Sequence, residues 1–137
     1  MENNLTKVFI ISGSSKDWKR IYNIVRLVNN VEVIRRSEEN DGMLDSIRRS
    51  TPNLLIFDID LPQGWSLGLL KQIHLEIPSL VIIVLSNNST LQYRRIWAQE
   101  GAAYFFDKST EFHRIAPLIT GIRSNNNQLS KCHNEYV

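Results

Sequence analysis

The chain has 137 residues, of which 42% are hydrophobic and 22% charged, values typical of one globular domain around one core. A net charge of +2 gives no reason to expect direct binding to nucleic acid or to a membrane surface, and no apolar run approaches the roughly 20 residues that span a bilayer. The single cysteine excludes an internal disulfide and favours a reduced, cytoplasmic location.

Five short apolar runs predict β-strands. Most of them are apolar without alternation, as parallel strands covered on both faces should be, whereas the second alternates in the manner of an edge strand. In chain order the runs are Val8–Ile11, Val31–Ile34, Leu54–Phe57, Leu80–Leu85 and Ala103–Phe106.

Helical patterns lie between these runs and after the last. Capping residues are available at Ser14 or Ser15, at Ser66 and at Ser89 or Thr90. The predicted core positions recur at three- and four-residue spacing. They are Trp18, Ile21, Val25 and Val28 in the first helix, Met43, Leu44 and Ile47 within 37–50, Leu69, Leu70 and Ile73 in the third, and Tyr93, Ile96 and Trp97 in the fourth.

Glycine and proline predict where the last helices begin and end. Gly101 ends the fourth helix. Pro117 is tolerated only in a first turn, so a short fifth helix should start near Ala116. Residues 1–124 are therefore predicted to form the domain, and the Asn-rich residues 125–137 a polar, flexible tail.

Strands that alternate with helices demand right-handed crossovers and a parallel sheet. Five strands of this length fit a doubly wound α/β fold with the flavodoxin-like order 2-1-3-4-5. The switch point of that order lies between the first and third strands, and ligands bind there at the carboxyl ends. Ser12 and Gly13 follow the first strand and Asp58 follows the third, so these residues should line one crevice.

Further polar residues fall at the same edge of the predicted sheet. Asp60 lies two residues after Asp58, Ser86 follows the fourth strand, and Lys108 follows the fifth. A carboxylate can attack phosphorus while a hydroxyl and an ammonium hold the transferred oxygens. The sequence therefore indicates a phosphoryl-transfer site.

Four motifs resemble the receiver domain of bacterial response regulators, and the resemblance covers residues 7–123. Residues 55–62 (LIFDIDLP) resemble the phosphoacceptor strand and its proline loop, and residues 84–86 (VLS) resemble the strand that ends in the switch Ser or Thr. Residues 101–108 (GAAYFFDK) resemble the final strand with its lysine, and within them Phe105 matches the switch aromatic.

The resemblance implies that Asp58 accepts a phosphoryl group from a histidine kinase or a phosphotransfer protein. Ser86 and Lys108 would contact the phosphate, and Phe105 would turn inward behind it. The face made by the fourth helix, fifth strand and fifth helix would then bind a downstream protein.

Plainer interpretations of several residues stay open. Ser86 fits equally well a strand-end hydroxyl that bonds its own loop. Phe105 fits an ordinary core residue, with Tyr104 as the solvent-facing ring beside it. Arg94 and Arg95 are expected to form a solvated helix face.

The chain departs from the receiver pattern after the first strand. Receivers carry two acids there that bind Mg²⁺, and those positions match Ser12 and Gly13. Mg²⁺ is a hard cation that prefers oxygen ligands, and Asp58 and Asp60 alone provide too few of them. Asp17 on the first helix is expected to face away from this site. We therefore expect no cofactor and at most weak Mg²⁺ binding at Asp58. The expected resting state is a metal-free pair of Asp58 with Lys108, in contact directly or through water.

Three functions are compatible with the sequence. The first is a stand-alone, non-enzymatic receiver in a two-component phosphorelay. The second is a degenerate receiver that binds its partner independently of phosphorylation. The third, a small nucleotide- or flavin-binding protein, is weakened by the lack of a Gly-rich phosphate loop. Trp65, beside the Asp58 loop, is interpreted either as a lid on the crevice or as a contact for another protein.

Overall fold

The computed structural model describes residues 5–35, 42–60 and 66–124. Within them, strands and helices alternate as predicted. The strands are β1 (Thr6–Ile11), β2 (Val31–Arg35), β3 (Leu54–Asp58), β4 (Val81–Ser86) and β5 (Tyr104–Asp107). The helices are α1 (Ser15–Val25), α2 (Met43–Ser50), α3 (Ser66–Glu76), α4 (Leu91–Gln99) and α5 (Ile115–Ser124), the last preceded by a 3-10 turn at Phe112–Arg114.

The five strands form one parallel sheet in the order β2-β1-β3-β4-β5, which confirms the predicted doubly wound topology. The register pairs Ile11 with Phe57, and it pairs Asp58 with Leu85. One strand further along, Ser86 is paired with Asp107. All the carboxyl ends therefore meet at one edge of the sheet.

Each face of the sheet has its own hydrophobic core. Along β3, Leu55 and Phe57 pack with the core on the side of α2, α3 and α4, whereas Leu54 and Ile56 pack on the side of α1 and α5. All four are fully buried, and this double coverage is why the strand reads as continuous hydrophobic sequence. Tyr104 is also buried, at 4% exposure, so the expectation of a solvent-facing ring is wrong.

Helix α1 and helix α4 begin as the capping residues predict. Ser14 Oγ accepts a hydrogen bond from Asp17 N at 3.2 Å, and Thr90 Oγ accepts one from Tyr93 N at 3.2 Å. Ser66 is instead the first residue of α3, and its hydroxyl donates to the Ile59 carbonyl at 3.0 Å. Ser66 thus fastens α3 to the end of β3 rather than acting as the predicted cap.

The ends of the later elements follow glycine and proline. Gly101, at φ +122°, follows α4, and a Cβ atom at this position would clash with the His74 side chain. Pro117 is the third residue of α5 and so lies in its first turn. Ile96 was predicted to face the core but is 43% exposed, because the buried side of α4 is centred on Trp97 and Tyr93.

Some predictions fall outside the described residues. These are the first part of the second predicted helix, the Trp65 loop and the tail 125–137. Within the described ranges, no helix combines the length and the apolar character needed to cross a bilayer.

Candidate functional site

The ends of β1, β3, β4 and β5 bring the predicted site residues together. Asp58 closes β3 and Ser86 closes β4, while Ser12 and Lys108 directly follow β1 and β5. The Lys108 amide donates to the Ser86 carbonyl at 2.9 Å, which fixes the loop after β5 against β4. The residues predicted from the strand order to share a site do lie together at this edge.

Both carboxylate oxygens of Asp58 are bonded within the protein. Lys108 Nζ donates to Asp58 Oδ1 at 2.9 Å, and Ser12 Oγ donates to Asp58 Oδ2 at 2.9 Å. The Asp60 amide donates to Asp58 Oδ1 at 3.2 Å. The Asp58 side chain is only 2% exposed. The predicted Asp58–Lys108 contact is confirmed, and it is direct.

Lys108 contacts two further carboxylates. Its Nζ lies 3.0 Å from Asp17 Oδ2 and 3.0 Å from Asp60 Oδ2. The expectation that Asp17 faces away is therefore wrong. The Ser14 cap places Asp17 in the first turn of α1, and because α1 follows β1 directly, this turn lies at the same sheet edge as Lys108.

Ser86 bonds Asp60 rather than Asp58. Its hydroxyl donates to Asp60 Oδ1 at 2.8 Å and accepts from the Asn88 amide at 3.0 Å. The Asn87 amide donates to Asp60 Oδ2 at 2.9 Å. Asp60 therefore connects the loop after β3 to the loop after β4. Ser86 bonds the loop that follows its own strand, which is the plainer of the two interpretations that the sequence allowed.

Burial and ion pairing act on this cluster in opposite directions. Burial raises the pKa of Asp58, and its bonds to Lys108, Ser12 and the Asp60 amide only partly offset that effect. Burial alone would lower the pKa of Lys108, but its bonds to the Asp58, Asp17 and Asp60 carboxylates outweigh burial and raise it. Lys108 is therefore a firmly charged ammonium ion at neutral pH.

Phe105 lies in the core behind the site, at 2% exposure. Its ring meets Tyr93 edge-on at 6.3 Å between centroids, and the Arg94 guanidinium carbon lies 5.1 Å from the ring centroid. Arg94 Nη1 also donates to the Phe105 carbonyl at 3.0 Å, and Nη2 donates to Glu111 Oε1 at 2.9 Å. Arg94 and Arg95 were expected to form a solvated helix face. Arg95 is exposed, but Arg94 is partly buried and bonded to β5 and Glu111.

A family model described as the response regulator receiver domain matches residues 8–120. This chain belongs to that family. The assignment confirms the resemblance drawn from the four motifs, and it agrees with the five-stranded parallel sheet.

Solved structures of receivers share the fold. The response regulator domain of Thermotoga maritima CheB superposes with a TM-score of 0.70 at 17% identity, covering 95% of this chain and 97% of that one. A LuxR-family two-component response regulator from Aurantimonas sp. SI85-9A1 superposes with a TM-score of 0.79 at 12% identity, covering 96% of each chain. These likenesses show the fold alone.

A curated relative is the DNA-binding transcriptional regulator NtrC of Klebsiella pneumoniae. It is 30% identical over 82 residues, which make up 60% of this chain and 18% of the regulator. The chain thus matches less than a fifth of the length of NtrC. The DNA binding in that name describes NtrC.

The side chains of this receiver do not fit a divalent cation. The Ser12 hydroxyl is committed to Asp58, and Gly13 supplies no side-chain ligand. Asp17, Asp58 and Asp60 already share the Lys108 ammonium. Among the described residues, no group of three or more acidic, His or Cys side chains has an arrangement that could hold a metal ion.

Sequence reasoning missed the contacts of Ser12 and Asp17. Ser12 was considered only as a missing acid, although a hydroxyl beside a buried carboxylate is a ready hydrogen-bond donor. The signal for Asp17 was its position three residues after the capping Ser14, which fixes it in the first helical turn. Trp65, interpreted from the sequence as a lid on the crevice or as a contact for another protein, lies outside the described residues.

Proposed function

We propose that this chain is a two-component receiver that signals by binding a partner protein and does not depend on Mg²⁺-assisted phosphorylation of Asp58. One observation carries the proposal. Both oxygens of the Asp58 carboxylate are engaged by Lys108 and Ser12, inside a site where the side chain is 2% exposed.

Phosphoryl transfer to a carboxylate makes two demands on a site. One oxygen must be free to approach phosphorus, and positive charge must neutralise the incoming phosphoryl oxygens. Here Lys108 supplies charge, but three carboxylates hold it in place. Breaking a buried ion pair costs about 3–5 kcal/mol, which opposes the rearrangement that attack by Asp58 would need.

Partner binding is proposed at the face made by α4, β5 and α5. Helix α4 presents Leu91 and Ile96 at 52% and 43% exposure. A protein that packs on α4 would remove the apolar surface of these two side chains from water. The partner is expected to be a downstream signalling protein, and its binding should not change when Asp58 is neutralised.

A phosphorelay with Asp58 as acceptor is the second candidate. The contact between Asp58 at the end of β3 and Lys108 after β5 favours it, because an ammonium there could bind a transferred phosphate. The phosphodonor would then be a histidine kinase or a phosphotransfer protein. A nucleotide or flavin site at the Ser12–Gly13 turn has less support, because the Ser12 hydroxyl donates to Asp58.

Intact-mass measurement separates the two receiver functions. The wild-type chain and its Asp58→Asn variant are incubated with acetyl phosphate and Mg²⁺. We expect no phosphoryl adduct on either chain. A stoichiometric, acid-labile adduct on the wild type that disappears in Asp58→Asn would overturn the proposal and establish the phosphorelay.

A further inference from the structure

We propose that the Lys108 ammonium is the built-in cation of this site and replaces a divalent metal ion. Asp17, Asp58 and Asp60 would be its ligands. This inference rests on the proposed function, in which Asp58 is not phosphorylated. It gives a physical reason for that function, namely that Lys108 takes the place of the metal ion. It adds a positioning role for Lys108 and Asp17.

The geometry around Lys108 matches the bonding capacity of an ammonium. Lys108 Nζ has three protons and no acceptor. Three carboxylate oxygens surround it, at 2.9 Å from Asp58 and at 3.0 Å from Asp17 and from Asp60. The contacts with Asp58 and Asp17 are hydrogen bonds, the contact with Asp60 is an ion pair, and the Lys108 side chain is only 5% exposed.

The three acids come from two parts of the chain, the first turn of α1 and the end of β3 with its loop. Asp17 lies on α1, Asp58 ends β3, and Asp60 lies in the loop after β3. The backbone of Lys108 is itself fixed by the bond from its amide to the Ser86 carbonyl. A free cation would have to displace an ammonium that is tethered to the fold, and it would gain no ligand from Gly13.

Removal of the ammonium should make the three acids bind a free divalent cation. Three carboxylates would then face one another without a counter-ion, and their mutual repulsion favours uptake of a cation. Mg²⁺ and Mn²⁺ prefer oxygen ligands of this kind. The three acids have no metal-holding arrangement in the wild type, and a neutral residue at position 108 should therefore allow them to move together around a divalent cation.

Calorimetric titration with Mg²⁺ and with Mn²⁺ tests the proposal. The chains compared are the wild type, Lys108→Met and Lys71→Met, the last changing an exposed lysine on α3. We expect Lys108→Met to bind the metals at least tenfold more tightly than the other two chains. Adding Asp17→Asn to Lys108→Met should weaken that binding again.

Two results would overturn the proposal. One is wild-type binding as tight as that of Lys108→Met, and the other is a folded Lys108→Met chain with no gain in affinity. If Lys108→Met does not fold, Lys108→Gln is titrated instead. If neither folds without metal, recovery of the circular dichroism spectrum on adding Mg²⁺ supports the proposal, and no recovery overturns it. These outcomes are independent of the phosphoryl adduct measured on the wild type.

Discussion

Arg94 and Glu111 form an ion pair that covers the outer edge of β5, with 2.9 Å between Nη2 and Oε1. Arg94 donates to the outward carbonyl of Phe105, and Glu111 accepts from the amide of Asp107 at 2.8 Å. Strand β5 ends the sheet, so these backbone groups would otherwise be open to pairing with another chain. The ion pair satisfies them from within the fold and connects α4 to the turn before α5.

Loss of this cover should weaken the domain and expose its edge. In Arg94→Met, the Phe105 carbonyl and the Glu111 carboxylate both lose a donor. We expect the free energy of unfolding to fall by about 1–3 kcal/mol and self-association to increase. Urea unfolding and sedimentation velocity measure the two effects. Arg95→Met, on the exposed side of α4, is the control and should change neither.

The ion pair should also make stability depend on pH in the acid range. Burial raises the pKa of Glu111, but the Asp107 amide and Arg94 outweigh it and leave that pKa below its ordinary value. A lowered carboxyl pKa stabilises the fold above the unfolded-state value near 4.5, and this contribution is lost as the pH falls through the folded-state pKa.

Glu111→Gln tests that dependence. The variant should be less stable than the wild type at pH 7, and the difference should shrink and disappear as the pH falls below 4.5 and through the lowered folded-state pKa of Glu111. Urea unfolding at a series of pH values measures it. A difference that stays constant across this range would show that the charge of Glu111 does not stabilise the fold.

The two partners at the centre of the site should respond differently to neutralisation. Since burial raises the pKa of Asp58, its charged form is penalised in the folded state, and Asp58→Asn should leave stability at pH 7 unchanged or higher. Lys108→Met leaves the buried Asp58 carboxylate without a counter-ion, and stability should fall by about 3–5 kcal/mol in metal-free buffer. Equal destabilisation by both changes in urea unfolding would contradict this account.

Restoring acids after β1 should install metal binding. The double change Ser12→Asp and Gly13→Asp adds two carboxylates beside Asp58, more than one ammonium can balance. Gly13 has no positive φ, so an aspartate is compatible with its backbone. Calorimetry should detect Mg²⁺ binding in the double variant and not in Ser15→Asp, an exposed position at the start of α1. No binding in the double variant would show that acids at these two positions do not complete a metal site beside Asp58.

Gly101 should be strictly required after α4. A Cβ atom there would lie 2.6 Å from His74 Cγ, and the φ of +122° disfavours any side chain. We expect Gly101→Ala to lower the free energy of unfolding by more than about 1 kcal/mol. Adding His74→Ala should recover only part of this loss, because the backbone strain remains. Full recovery in chemical denaturation would assign the whole effect to the clash with His74.

Much of the fold could be predicted because parallel strands that are buried on both faces appear in the sequence as continuous apolar runs. Leu54–Asp58 contributes side chains to both cores, so every apolar position in it is constrained. The position of the site followed from the same rule, since all carboxyl ends of a parallel sheet meet at one edge. The family model over residues 8–120 confirms the receiver fold that these strand ends indicated.

The amino-acid sequence by itself determined the strand order and the sheet edge at which Asp58 and Lys108 meet, because apolar runs and chain order specify which faces are buried. It also showed directly that Ser12 and Gly13 stand where receivers carry acids. Only the tertiary structure decided which neighbours each polar group contacts. Asp17 reaches Lys108, and Ser86 turns to Asp60, through distances set by how α1 and two loops pack on the sheet. Periodicity carries no information on those side-chain directions, so an ammonium with three acids within reach is visible only in three dimensions.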